Sequence, residues 1–112
     1  MYKRQGLGNT LFLQYTGDIL DAVKAEQLGI VNQIVSHDSL MADTLKLASR
    51  IGQGATYSMS LIKRLVHKSL QVEFEESLKL AGPAQELARR SNDHKEGVNA
   101  FIEKRQPKFL GR

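Results

Sequence analysis

From Ser36 onward apolar residues recur at helical spacing: Leu40, Leu45, Leu47, Ala48 and Ile51, then Met59, Leu61, Ile62, Leu65 and Val66, then Phe74, Leu78, Ala81 and Leu87. With polar residues between them, this periodicity predicts amphipathic helices over 37–53, 57–70 and 71–90. Gly52–Ala55 is the expected loop between the first two, and Thr56 the expected cap of the second. Gly82-Pro83 should kink or split the third at Ala81, because proline has no amide hydrogen to donate. Glu75 and Lys79 form an expected i,i+4 pair.

Nearer the start, Asn9–Tyr15 reads as the end of a helix and Thr16-Gly17-Asp18 as the turn that terminates it. Asp21 is placed to cap a short helix over Ala22–Leu28, which Gly29 ends. Only Ile30–Val35 (IVNQIV) alternates like a strand. A lone strand leaves its backbone groups without ladder partners, so it must pair with a second copy or with the rim of a larger sheet. The expected fold class is therefore mostly α with one short strand.

The stretch Ser91–Arg112 (SNDHKEGVNAFIEKRQPKFLGR) reads as one more helix followed by an anchored tail. Asp93 is the expected N-cap with Glu96 at N3, a reciprocal capping box at the positive end of the macrodipole. Val98, Phe101 and Ile102 share a face, and Lys104 with Arg105 closes the negative end. Pro107 stops the helix, and Phe109 with Leu110 gives the tail apolar surface to bury.

At 112 residues and 41% hydrophobic content the size suits one small domain. No cysteine is present, which removes disulfides and thiolate metal sites and suits a reducing compartment. No apolar run reaches membrane-span length, and the expectation is a soluble cytoplasmic protein. The net charge of +4 lies in the second half: residues 1–56 hold five Lys/Arg against five Asp/Glu, residues 57–112 eleven against seven. Lys63, Arg64, His67 and Lys68, then Arg89 and Arg90, then Lys104, Arg105 and Lys108 make that half anion-facing, although a solvated surface explains most such clusters.

Asp93, Glu96-Gly97, Ala100-Phe101, Glu103-Lys104-Arg105, Pro107, Phe109 and Gly111-Arg112 together form D-x-x-E-G-x-x-A-F-x-E-K-R-x-P-x-F-x-G-R, which resembles the C-terminal signature of the enoyl-CoA hydratase/isomerase (crotonase) family. Thr16-Gly17-Asp18, Ala22, Ala25 and Leu28-Gly29-Ile30-Val31-Asn32 are similar to that family's T-G-D, A-x-x-A and G-L-V-N stretch. Leu61-Ile62-Lys63 resembles its later helix around a recurrent lysine. The run from Leu61 to Arg112 is most similar to the phenylacetate-pathway isomerases and hydratases of the family.

The resemblance implies a coenzyme A thioester as substrate, with no metal or prosthetic group. It also implies a homotrimer, and a chain forming the C-terminal helical (trimerisation and lid) segment of the crotonase α/β fold. Residues 1–35 would be the edge of the core, and 36–112 the helical assembly and CoA-covering segment. The family's oxyanion-hole amides and catalytic carboxylates would precede Met1, so no catalytic residue is carried over and the chain alone is expected to be inactive. The resemblance places Phe101 and Lys104 near the adenosine 3′-phosphate end of coenzyme A, with Arg105 and Lys108 as weaker candidates. Read from the residues alone, Phe101 is core and Lys104 a dipole charge.

Other chemistry-bearing residues form no constellation. His37, His67 and His94 lack ligand spacing and read as surface histidines. Glu75 and Glu76 point about 100° apart on a helix and read as a solvated face. Ser58, Ser60 and Ser69 lack a nucleophile elbow, and Gly6-Leu7-Gly8 is too short for a nucleotide fingerprint. The alternatives are a basic helix-turn-helix protein, with Lys63, Arg64 and Lys68 on DNA phosphates, or a purely structural oligomerisation domain.

Overall fold

The computed structural model describes residues 5–112; the first four residues of the expected core-edge segment 1–35 lie outside the described residues. Helix α1 (Leu7–Thr16) ends at Gly17, which takes φ 66° and donates its amide to the Leu13 carbonyl at 3.1 Å. Helix α2 (Ala22–Gln27) starts at Asp21, whose carboxylate accepts the Lys24 amide at 2.7 Å. It closes by a Schellman turn, in which Gly29 N–H reaches Glu26 O at 2.8 Å and Ile30 N–H reaches Ala25 O at 2.9 Å, with Gly29 at φ 69°. The cap and both stop signals stand where the sequence places them.

The strand expected over Ile30–Val35 is not formed. That segment runs through bends into irregular coil, and no strand occurs among the described residues. The Ile34 amide donates instead to the Glu26 carboxylate at 3.2 Å. An alternating segment becomes a strand only when a neighbouring strand completes its ladder, and the elements around this one are helices and turns.

The chain divides into two compact units, one ending at Asp43 and the other Thr44–Arg112, with the division inside α3 (Leu40–Gly52). In the second unit α4 (Thr56–Ser69) packs on α5 (Phe74–Arg90), and α5 on α6 (Asn92–Ile102). Thr56 is the first residue of α4 and not its cap; Ala55 holds the cap position without a side-chain bond. The Thr56 hydroxyl lies instead beneath the C-terminal tail, where a Cβ built on Gly111 would come within 2.6 Å of it.

Helix α5 passes through Gly82-Pro83 without interruption, against the expected split at Ala81. Much of the usual clash before proline falls on the preceding Cβ, which Gly82 lacks. Both residues are exposed, so water can solvate the carbonyl left without the Pro83 amide. The helix begins at Phe74, since Gln71 N–H still caps α4 through Lys68 O at 2.9 Å. Lys79 pairs with Glu76 at 3.9 Å and not with Glu75.

Leu61 and Ala100 are the buried apolar residues among those described. Side chains expected to face inward remain open, with Leu45 59%, Ile62 59% and Leu78 63% exposed. Among the described residues no helix is long and apolar enough to cross a membrane.

Candidate functional site

Ser91 ends α5 and starts α6 in one residue. Its hydroxyl donates to Ala88 O at 2.7 Å and accepts the His94 amide at 3.0 Å, so Ser91, and not Asp93, is the N-cap. Asp93 is the second residue of the helix, 2% exposed, and is occupied elsewhere. Its carboxylate accepts the Leu110 amide at 2.7 Å and the Gly111 amide at 2.9 Å, while its own N–H donates to Arg112 O at 3.1 Å. The tail thus returns to the start of α6.

Glu96 lies one turn further along the same face. It is not the N3 member of a capping box; it holds the near part of the tail. Arg105 bridges both Glu96 oxygens through Nη1 and Nη2 at 2.6 and 3.0 Å, and the Lys108 amide donates to the same carboxylate at 2.7 Å. Arg105 Nε also engages Glu103. The Arg105 guanidinium, and after it the Lys108 amide, holds the Glu96 carboxyl at about 2, against an ordinary 4.5. Glu96 and then Glu103 raise Arg105 above its usual value. Between the two carboxylates the Phe109 ring lies over Gly97, where a Cβ would sit 3.6 Å from the ring.

Helix α6 ends in the same Schellman turn as α2, with Lys104 N–H to Phe101 O at 3.3 Å and Arg105 N–H to Ala100 O at 3.0 Å. The left-handed position, glycine in α2, is here Lys104 at φ 53°, the one non-glycine residue with positive φ among those described. A Cβ at that position costs about 1 kcal/mol relative to glycine. Lys104 makes no ion pair among the described residues, whereas Arg105 is engaged by two carboxylates. Lys108 is tied through its backbone, with its side chain exposed.

Phe101 is not core: it is 86% exposed. With Phe109, Ala55, Ala88, Val98 and Arg89 it lines an open groove of about 490 Å³. Lys104 is not part of that wall but follows one turn beyond it, its backbone bonded to Phe101. His37, His67 and His94 are exposed, and no group of three or more metal-ligating side chains occurs among the described residues. Lys63, Arg64, His67 and Lys68 form an exposed row on α4 without ion pairs among the described residues. The roles of Asp93 and Glu96 as tail anchors escape a local reading. The usable signal was their i,i+3 spacing opposite a tail with apolar anchors.

The sequence profile of the enoyl-CoA hydratase/isomerase family matches residues 7–112. A crotonyl-CoA hydratase of Syntrophomonas wolfei is 30% identical over 107 residues, which cover 96% of this chain and 41% of that protein. A 1,2-epoxyphenylacetyl-CoA isomerase of Escherichia coli is 32% identical over the same shares. The crystal structure of an enoyl-CoA hydratase from Bacillus anthracis matches with a TM-score of 0.94 at 28% identity, over 99% of this chain and 43% of that one. The chain spans about two-fifths of the length of these relatives. Its helices are those of a helical segment of the crotonase fold, and the chain belongs to the enoyl-CoA hydratase/isomerase family.

Proposed function

We propose that this chain forms the CoA-covering and assembly segment of an enzyme acting on an acyl-CoA thioester, by hydration of an enoyl-CoA or migration of its double bond. Residues 1–35 serve as the edge of the core, and 36–112 as the helical cover. In the family reaction two backbone amides stabilise an enolate while carboxylates move protons. None of those groups is matched by a residue of this chain, which contributes binding and assembly, not acid/base chemistry. Phe101 and Lys104 lie near the adenosine 3′-phosphate end of coenzyme A, with Lys104 meeting the phosphate, in a trimer whose neighbouring chain completes the pocket.

The observation that carries this reading is Lys104 itself. The turn favours glycine, the chain uses glycine in the equivalent turn after α2, and yet a lysine stands here with its ammonium outside any ion pair among the described residues. A conformational cost kept at a charged residue points to a use for the charge. The exposed apolar faces of α3, α4 and α5 support burial against further protein. In the protein carrying this chain, Lys104→Ala is expected to weaken CoA binding roughly fivefold and to leave dephospho-CoA unchanged, the size of an exposed charge contact. Equal loss for both ligands removes the phosphate assignment, and absence of CoA binding leaves a structural oligomerisation role.

A further inference from the structure

Two turns in this chain close by the same pair of backbone hydrogen bonds, and they differ in what surrounds the left-handed residue. After α2 that residue is Gly29, and no ion pair spans the turn among the described residues. After α6 it is Lys104, and side chains grip the chain on both sides of it. Arg105 is fixed at its amide by Ala100 O at 3.0 Å and at its guanidinium by both Glu96 oxygens. Glu103, just before Lys104, is fixed at its amide by Asn99 O at 2.9 Å and through its carboxylate by Arg105 Nε. Glu96 also takes the Lys108 amide, so the tail beyond the turn hangs on the same carboxylate.

We infer that Glu96 and Arg105 are positioning residues for Lys104, holding its backbone in the left-handed well and thereby fixing where its ammonium leaves the end of α6. The inference rests on the assignment of Lys104 to the CoA phosphate. A lysine at this φ has β and right-handed alternatives of lower intrinsic energy. In either of them its side chain departs in another direction. The fork between Glu96 and Arg105 removes those alternatives before ligand arrives, so less ordering remains to be done on binding. Arg105 therefore acts on the phosphate through Lys104 and not by touching it.

The test is the ratio of dephospho-CoA to CoA dissociation constants, measured by calorimetry on the protein carrying this chain. Wild type, Lys104→Ala, Glu96→Gln and the double variant are compared. Glu96→Gln keeps an oxygen to accept the Lys108 amide but loses the charged fork. It is expected to lower the ratio about two- to threefold, with Lys104→Ala bringing it near one and the double variant no lower than Lys104→Ala. Arg105→Lys, which keeps the charge and loses the fork, should fall between wild type and Glu96→Gln. If Lys104→Ala leaves the ratio unchanged, the phosphate assignment fails and takes this inference with it. If Lys104→Ala abolishes the preference while Glu96→Gln preserves it, the assignment stands and the positioning role is overturned. Equal weakening of both ligands by Glu96→Gln, the mark of a merely structural role, also overturns it.

Discussion

Replacing Asp93 by alanine should release the end of the tail while leaving α6 in place. The carboxylate is 2% exposed and accepts two backbone amides, Leu110 at 2.7 Å and Gly111 at 2.9 Å. Hydrogen bonds to a charged acceptor contribute about 1.5 to 3 kcal/mol each, and two that share one carboxylate do not add fully, so the local loss is about 2 to 4 kcal/mol. The helix keeps its cap, because Ser91 and not Asp93 accepts the His94 amide. Amide hydrogen exchange resolves the two events. Leu110 and Gly111 should exchange roughly 30- to 1,000-fold faster in Asp93→Ala, on the scale of tenfold per 1.4 kcal/mol, while mid-helix amides of α6 change far less. Asp93→Asn keeps an acceptor oxygen and should lose about half as much in free energy. Exchange at Leu110 and Gly111 within about threefold of wild type would refute the claim that this carboxylate holds the tail.

The two glycines of the clasp should answer oppositely to alanine. Gly97→Ala places a Cβ at ordinary contact distance from Phe109 and should stabilise by up to about 1 kcal/mol through helix propensity, whereas Gly111→Ala meets φ +75° and the Thr56 hydroxyl at 2.6 Å and should destabilise; thermal melts give both signs. Glu96 ionises at about 2 when folded, below its ordinary 4.5, so its contribution to stability is fully present above pH 4.5 and is lost as pH falls toward 2. The stability gap between wild type and Glu96→Gln should therefore hold from pH 7 to 5 and close below that window; a gap unchanged at pH 2 contradicts the pairing with Arg105. The open faces carrying Leu45, Ile62 and Leu78 predict self-association, and a compact monomer at high concentration in sedimentation would show that those faces need no cover.

What the sequence disclosed follows the range of the interactions involved. Asp21 as a cap, Gly17 and Gly29 as stops, and the helical periods were readable because each depends on residues within one or two turns. Asp93 was misread because a carboxylate near a helix start has a local use, while its actual partners stand 17 and 18 residues away in the tail. Thr56 failed as a cap for the same reason, its hydroxyl facing Gly111. Pro83 misled because a proline removes one helix hydrogen bond without having to end the helix: Gly82 has no Cβ to meet the proline ring, and exposure lets water take the freed carbonyl. The left-handed conformation of Lys104 carried no local sign, since the turn that imposes it is usually announced by glycine.

The return of the tail determines where foreign sequence can be attached. Because Arg112 ends beside the first turn of α6, a fusion partner joined there would emerge next to Tyr57, Leu87 and Arg90. It would not emerge at the far end of the helix, beside Lys104. Eleven helical residues separate those ends by about 16 Å. A short affinity tag or fluorophore attached at Arg112 would therefore report on this chain from the end of α6 opposite Lys104, while a label placed at Gln106 would sit beside the turn itself.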